Sequence, residues 1–244
     1  MTSTATRTDR PTATYARGTR GVHDLVLTSF VAVLLISNIG ATKLIQFGPD
    51  VAILGFPVLP IITDGGAFLF PLAYLLGDVL AEVYGMRRAR RAIVTGFVWA
   101  AVMSVTFLVV DAAPPAVDWP NQEAWSAVLG FVPRIVLASL VGFLVGQFLN
   151  AWVLVRIKDA FGERRLWVRL VTSTVVGEFA DTVLFCTIAF GPLGMWLGGG
   201  SIPLPQLVNY IVVGWVYKVL VEVLLLPVTY RLVAAVKRRE PDYH

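Results

Sequence analysis

The chain has 244 residues, of which 57% are hydrophobic and 15% are charged, and its mean hydropathy is +0.73. Soluble domains carry about 25% charged residues, so this composition excludes an ordinary soluble domain. The net charge of +4 does not indicate nucleic-acid binding, because the basic residues stand at the ends of apolar segments.

The apolar runs predict an all-α integral membrane protein with six transmembrane helices. A span needs about 20 apolar residues to cross a hydrocarbon core about 30 Å thick. Residues 1–22 hold no apolar run, so we expect a disordered tail without a signal peptide. The six-helix domain is predicted over 23–236, and 237–244 form a second tail. The predicted spans are 25–47, 66–84, 92–111, 129–155, 166–190 and 206–235.

Two connecting segments are apolar but too broken to cross a membrane. Pro49, Pro57 and Pro60 interrupt residues 48–65, which we expect to be an extended or re-entrant segment between helices 1 and 2. Such a segment needs protein or water around its backbone. Residues 191–205 are rich in Gly and Pro and predict a loop or a re-entrant hairpin.

The basic residues predict the orientation of the chain. With six spans, four basic clusters fall on one side of the membrane, and the opposite side carries Asp118 and Glu123 without any Lys or Arg. The positive-inside rule then predicts a multi-pass membrane protein with cytoplasmic N and C termini. The clusters are Arg7, Arg10, Arg17 and Arg20; Arg87, Arg88, Arg90 and Arg91; Arg156, Lys158, Arg164, Arg165 and Arg169; and Arg231, Lys237, Arg238 and Arg239.

Three basic residues lie inside predicted spans instead. A charge at the bilayer centre costs about 2.5–3.5 kcal/mol on insertion scales, so it needs a partner, a cavity or a function. Lys43 is near the outer end of its span and either snorkels to the interface or has a role in gating. Arg134 is in the outer third of its span. Lys218 is near mid-membrane, one turn from Glu222, and the two either neutralise each other or bind substrate.

Two acids in the fifth span are the strongest functional signal. Glu178 and Asp181 are three residues apart near mid-membrane, so they share a helix face and repel each other. Either one carboxyl stays protonated, or a cation or a donor-rich ligand sits against them. Lys218 or Arg134 is the candidate cation across the bundle.

Other polar residues share helix faces. Asp78 and Glu82 either pair with the arginines that follow the second span or contact a ligand. Asn38 is near the middle of the first span, and Gln147 and Asn150 share a face of the fourth. A ladder of small residues in that span indicates helix packing, within the monomer or across a homodimer; it comprises Ala138, Gly142 and Gly146.

The block from Asp64 to Gly85 reads DGGAFLFPLAYLLGDVLAEVYG, and the basic run RRARR starts two residues later. It resembles the signature of the queuosine precursor transporter family, which is also grouped with vitamin uptake transporters. The similarity extends over about 25–235. Further matching positions are Ser37, Asn38 and Lys43; Gly146, Gln147 and Asn150; Asp181, Thr182 and Phe185; and Lys218, Glu222 and Pro227.

The resemblance implies uptake across the cell inner membrane of 7-cyano-7-deazaguanine, of its aminomethyl form or of queuine, which are precursors of a modified tRNA base. The expected partners are therefore a deazaguanine-type base and the lipid bilayer. We expect neither a cofactor nor a metal, and Cys186, the one cysteine, supports no cysteine metal cluster. The substrate-binding candidates are Asn38, Gln147, Glu178, Asp181, Lys218 and Glu222; the gating or secondary candidates are Asp78, Glu82, Arg134, Asn150 and Lys43.

Two alternatives are open. The chain could be the substrate-binding subunit of an energy-coupling-factor vitamin transporter. Such subunits carry an Ala-x3-Ala docking pattern in the first helix, and this pattern is missing here, because the residue four positions after Ala32 is Ile36. An intramembrane protease is more remote. A serine type needs a histidine base within a span, whereas His23 and His244 lie in the predicted tails or at their edge. An aspartyl type has Asp78 and Asp181 as its candidates, without matching flanking residues. We therefore expect a solitary carrier and not an enzyme.

Overall fold

The computed structural model describes residues 22–53, 56–161, 166–197 and 200–240. Most of the predicted N-terminal tail and the last four residues lie outside this part of the chain. The α-helices in it are α1 (His23–Gly40), α2 (Phe70–Tyr84), α3 (Met86–Ala112), α4 (Gln122–Val128), α5 (Val132–Phe161), α6 (Leu166–Ala189) and α7 (Leu204–Lys237). A two-stranded antiparallel hairpin comprises β1 (Leu44–Ile53) and β2 (Phe56–Asp64).

Within the described residues, five helical segments are long and apolar enough to cross a membrane, in agreement with a mostly helical membrane protein. They are His23–Gly40, Met86–Ala112, Gln122–Asn150, Thr172–Ala189 and Leu204–Lys237. Helix α2 has 15 residues and is about 22 Å long, which is shorter than a hydrocarbon core. A 3-10 turn over Gly65–Phe68 precedes it and lengthens the segment. The sixth span stays a prediction.

The first predicted span was too long, because α1 ends at Gly40 and residues 44–53 and 56–64 form the two strands of the hairpin. We expected an extended or re-entrant segment over 48–65, and much of it is extended. It takes part in the antiparallel pairing of β1 with β2, so the chain is not helical throughout. Prolines prevent this segment from forming a helix, and the pairing of the two strands satisfies its backbone N–H and C=O groups instead. Helix α4 was not predicted, since it covers only two turns of a polar connection.

The hairpin is attached to α7 by side-chain hydrogen bonds. The Ile62 amide donates to Asn209 Oδ1 at 3.2 Å, and the Tyr210 hydroxyl donates to the Asp64 carboxylate. At the end of the hairpin, a Cβ on Gly65 would lie 2.5 Å from the Gly40 carbonyl oxygen. The Gly-Gly pair after Asp64 is thus needed for the hairpin to pack against the end of α1.

Helices α5 and α6 approach each other most closely along the small-residue ladder. A Cβ on Gly142 would lie 2.7 Å from Asp181 Oδ1, and one on Gly146 would lie 2.9 Å from Asp181 Cβ. Of the two explanations for the ladder, packing inside the monomer is therefore the one the structure uses. Because Gly142 and Gly146 have no side chains, the Asp181 side chain fits between the two closely packed helices.

Two apolar clusters flank a polar layer. The first contains Ile135, Cys186 and Tyr210, and the second contains Val79 and Val233. Along α7 the polar residues Lys218 and Glu222 lie between the members of the two clusters. The layer around these two residues is therefore enclosed by apolar packing toward both ends of the helix.

Candidate functional site

The Lys218 side chain is the centre of the polar layer. Its ammonium forms an ion pair with the Asp181 carboxylate of α6, and its Nζ lies 3.7 Å from Glu178 Oε2. The three side chains are only 19–21% exposed. Of Lys218 and Arg134, the two candidates for the cation beside these acids, Lys218 is the one that lies there.

One face of helix α2 contributes aromatic and acidic side chains to the same layer. Phe70, Tyr74 and Asp78 follow one another at four-residue intervals and so lie on one face of the helix. The Tyr74 side chain lies beside Glu222, and Asp78 is close enough to Glu222 for the two charges to interact. We name the seven residues from α2, α6 and α7 the central cluster: Phe70, Tyr74, Asp78, Glu178, Asp181, Lys218 and Glu222.

One of the two alternatives for Lys218 and Glu222 is not formed in the structure. Lys218 and Glu222 do not form the neutralising pair that their spacing on α7 allowed. Lys218 instead contacts Asp181 and Glu178 across the helix interface, and Glu222 lies beside Tyr74. The reason is tertiary, because α6 packs against α7 and presents Asp181 and Glu178 to the long lysine side chain.

The central cluster has unsatisfied hydrogen-bonding capacity. Glu178 Oε2 is buried and has no hydrogen-bond partner among the described residues, because 3.7 Å from Lys218 Nζ is too long for a hydrogen bond. The side-chain oxygen Oδ1 of Asn150, which lies on α5 beside Gly177, is also buried and has no hydrogen-bond partner among the described residues. A buried acceptor without a donor costs about 1–3 kcal/mol or more, so both oxygens are suited to receive donors from a ligand.

Arg134 has a different role from that of Lys218. Its guanidinium donates to the carbonyl oxygens of Ile188 at 2.8 Å, of Gly191 at 2.9 Å and of Gly200 at 3.1 Å. These carbonyls belong to the C-terminal end of α6 and the loop that follows, where a cation also meets the negative end of the helix dipole. Arg134 thus fastens that loop to α5 and is away from the central cluster.

Three other predicted residues are not brought into the cluster. Asn38 is buried, but its amide donates to the Leu34 carbonyl at 2.9 Å and accepts from Ser139 Oγ at 3.1 Å, which joins α1 to α5. Gln147 is exposed on α5. Lys43 lies in the turn between α1 and β1 and is also exposed, as its position near the end of a span suggested.

Glu82 does not pair with the arginines after α2, as the sequence had allowed. Its carboxylate lies 3.1 Å from Lys237 Nζ at the end of α7. Beside this pair, Glu240 Oε1 accepts hydrogen bonds from the Tyr84 hydroxyl at 2.6 Å and from the Val22 amide at 2.8 Å. These contacts join α1, α2 and α7 at the basic end of the bundle.

Sequence reasoning missed Phe70 and Tyr74. Their signal was present in the spacing, since both precede Asp78 at intervals of four on the same helix face. Aromatic residues are frequent in this chain, so only the contact with α7 distinguishes these two. In the described part of the chain, no group of three His, Cys, Asp or Glu side chains could hold a metal ion.

The chain was compared with known proteins. Residues 64–232 match a family model described as "Putative vitamin uptake transporter". The chain is 34% identical to the probable queuosine precursor transporter of Bacillus subtilis over 54% of its own length and 59% of that protein. It is 30% identical to the queuosine precursor transporter of Escherichia coli over 71% of both chains. No solved structure matches the chain.

The matched residues contain the whole central cluster, from Phe70 on α2 to Glu222 on α7. The chain thus spans 59% of the first relative and 71% of the second. Both are named transporters, which agrees with the expectation that this chain is not an enzyme, and the apolar helices make it a multi-pass membrane protein. The chain belongs to the queuosine precursor transporter family, within the vitamin uptake transporters.

Proposed function

We propose that this chain imports queuosine precursors across the cell inner membrane, as a solitary carrier with six spans and cytoplasmic termini. The substrate is 7-cyano-7-deazaguanine, its aminomethyl form or queuine. The names of the relatives support this substrate class, and the basic clusters support the orientation. The central cluster is the binding site.

The observation that carries the proposal is the buried Glu178 Oε2 without a hydrogen-bond partner among the described residues. A deazaguanine presents a ring N–H and an exocyclic amine side by side, and one carboxylate can accept from both. Glu178 would bind this edge, and Lys218, which already lies beside it, would donate to the ring oxygen. Recognition of a donor pair by a buried carboxylate is selective, because a ligand without the donors leaves the carboxylate unsatisfied.

The position of the cluster supports transport rather than storage. Glu178 and Lys218 lie near the middle of α6 and of α7, so a ligand bound between them is far from both membrane surfaces. Carriers bind their substrates near the midplane and expose the site alternately to the two sides. The Glu82–Lys237 pair and the contacts of Glu240 close the bundle at the basic end, which is the cytoplasmic end in our proposal.

The test is uptake of radiolabelled 7-cyano-7-deazaguanine by cells that express the Glu178→Gln, Asp181→Asn and Glu222→Gln variants at matched levels. We expect Glu178→Gln to slow uptake at least about tenfold, which corresponds to about 1.4 kcal/mol. Glu123→Gln, on the exposed short helix α4, is the matched control and should transport normally. Normal transport by all three cluster variants would show that the site is elsewhere. Co-purification with an ATPase module would replace the solitary carrier by a substrate-binding subunit.

A further inference from the structure

Phe70 is a half-buried aromatic residue whose surroundings are polar. Its ring centroid lies 5.5 Å from Lys218 Nζ, and it belongs to none of the three apolar clusters that the described residues form. The rings of Tyr74 and Tyr217 lie 5.7 Å and 6.5 Å from it. An aromatic side chain beside a charged layer, outside the apolar cores, calls for an explanation other than core packing.

We propose that Phe70 is the platform on which the planar base stacks in the central cluster. The inference rests on the proposed function, because it assigns to that site the group that recognises the face of the ligand. Glu178 and Lys218 can recognise only the edge of a base, through hydrogen bonds in its plane. A bicyclic base also has two apolar faces, and stacking on an aromatic ring covers one of them.

The contacts of Lys218 place the platform and the edge acceptor around the same point. The ammonium nitrogen is 3.7 Å from Glu178 Oε2 and 5.5 Å from the Phe70 centroid. Four rings in the described part of the chain have a cation over them, and the Phe70 ring is the one that faces Lys218. Lys218 already has Asp181 as its ion-pair partner, so it does not need the ring for stabilisation.

Other aromatic residues near the cluster are already engaged. Tyr74 lies beside Glu222, and the Tyr217 hydroxyl donates to the Ala67 carbonyl at 2.9 Å. Trp215 donates to the Val175 carbonyl at 3.1 Å. Phe70 has no polar atom to satisfy, and its ring packs beside the rings of Tyr74 and Tyr217. Its ring is therefore suited to accept a ligand without breaking a hydrogen bond.

The experiment measures the dissociation constant of 7-cyano-7-deazaguanine for the purified full chain in lipid nanodiscs, by calorimetry. We expect Phe70→Leu to weaken binding about tenfold, which is about 1.4 kcal/mol, and Phe70→Tyr to stay within about threefold of the wild type. Phe97→Leu is the matched control, because its ring packs against Phe143 at 5.7 Å and not in the cluster. It should bind as the wild type does.

Wild-type affinity in Phe70→Leu, or an equal loss in the Leu and Tyr variants, would overturn the inference. Phe70→Trp gives a second measurement that does not depend on a loss of affinity. Its added indole should be quenched by the bound base beyond the quenching of the seven native tryptophans, and no additional quenching by a saturating ligand would also overturn the inference. If the wild-type chain does not bind the base at all, the proposed function itself fails.

Discussion

Replacing Lys218 by methionine keeps the length of the side chain but removes the ammonium that pairs with Asp181 and Glu178. Removing one partner of a buried ion pair costs about 3–5 kcal/mol, whereas an exposed pair contributes about 0–1 kcal/mol. Because about a fifth of each side chain is exposed, we expect a loss near the lower end of the first range, about 3 kcal/mol. At about 2–4 °C per kcal/mol for a chain of this size, Tm should fall by about 6–12 °C.

The assay is thermal unfolding of the purified chain in one detergent, followed by the loss of the monodisperse peak in size-exclusion chromatography. Lys43→Met is the matched control, since Lys43 is exposed in the turn after α1, and its Tm should stay within about 1 °C. The double variant Lys218→Met with Asp181→Asn should recover part of the loss, because the amide no longer leaves a charge unpaired. An unchanged Tm in Lys218→Met would refute the buried ion pair.

Three further changes probe the packing around the site. Gly142→Ala should lower uptake at least about tenfold and Tm by several degrees, because the new Cβ would lie 2.7 Å from Asp181 Oδ1 and overpacking costs about 1–3 kcal/mol. Arg134→Met should lower Tm by about 4–12 °C, since three carbonyl oxygens lose a charged donor, with a cost of about 2–3 kcal/mol. Tyr84→Phe should lower Tm by about 2–4 °C, because one hydrogen bond to Glu240, about 1 kcal/mol, is lost.

Each of these changes has a control at an open position. Gly200→Ala adds a Cβ with nothing within 4 Å, Arg156→Met removes an exposed guanidinium and Tyr230→Phe removes an exposed hydroxyl. All three should leave Tm and uptake unchanged. If Gly142→Ala behaved like Gly200→Ala, then α5 and α6 would not be in close contact at Asp181. Unchanged Tm in Arg134→Met or Tyr84→Phe would likewise show that the corresponding hydrogen bonds contribute nothing.

The sequence was sufficient to find most of the helices and the acidic residues of the site. Long apolar runs identified the helices, because a helix that crosses a hydrocarbon core needs such a run. Glu178 and Asp181 were conspicuous because they are acids inside such a run. The pairing of Lys218 could not be predicted, because spacing on one helix says which residues are local neighbours and not which residues a neighbouring helix presents. Glu222 was the local neighbour, and Asp181 was the actual partner.

The hairpin and the role of Arg134 were beyond sequence reasoning for a similar reason. Prolines in 48–65 indicated that a helix would not form, but they did not show that the segment pairs with residues 44–53. Arg134 resembled Lys218 in being a cation inside an apolar run. Only the tertiary contacts distinguish the two residues. The end of α6 and the loop after it supply carbonyl acceptors to the Arg134 guanidinium, whereas α6 supplies the Asp181 carboxylate to Lys218.

The central claim is import of queuosine precursors, and the formation of queuosine in tRNA tests it most directly. The host is a bacterial strain that can neither make the precursor nor import it, grown with 7-cyano-7-deazaguanine at low concentration. We predict that the wild-type chain restores queuosine in tRNA and that the Glu178→Gln variant, at the same level in the membrane, restores much less. Unmodified tRNA in cells with well-expressed wild-type protein would contradict the account.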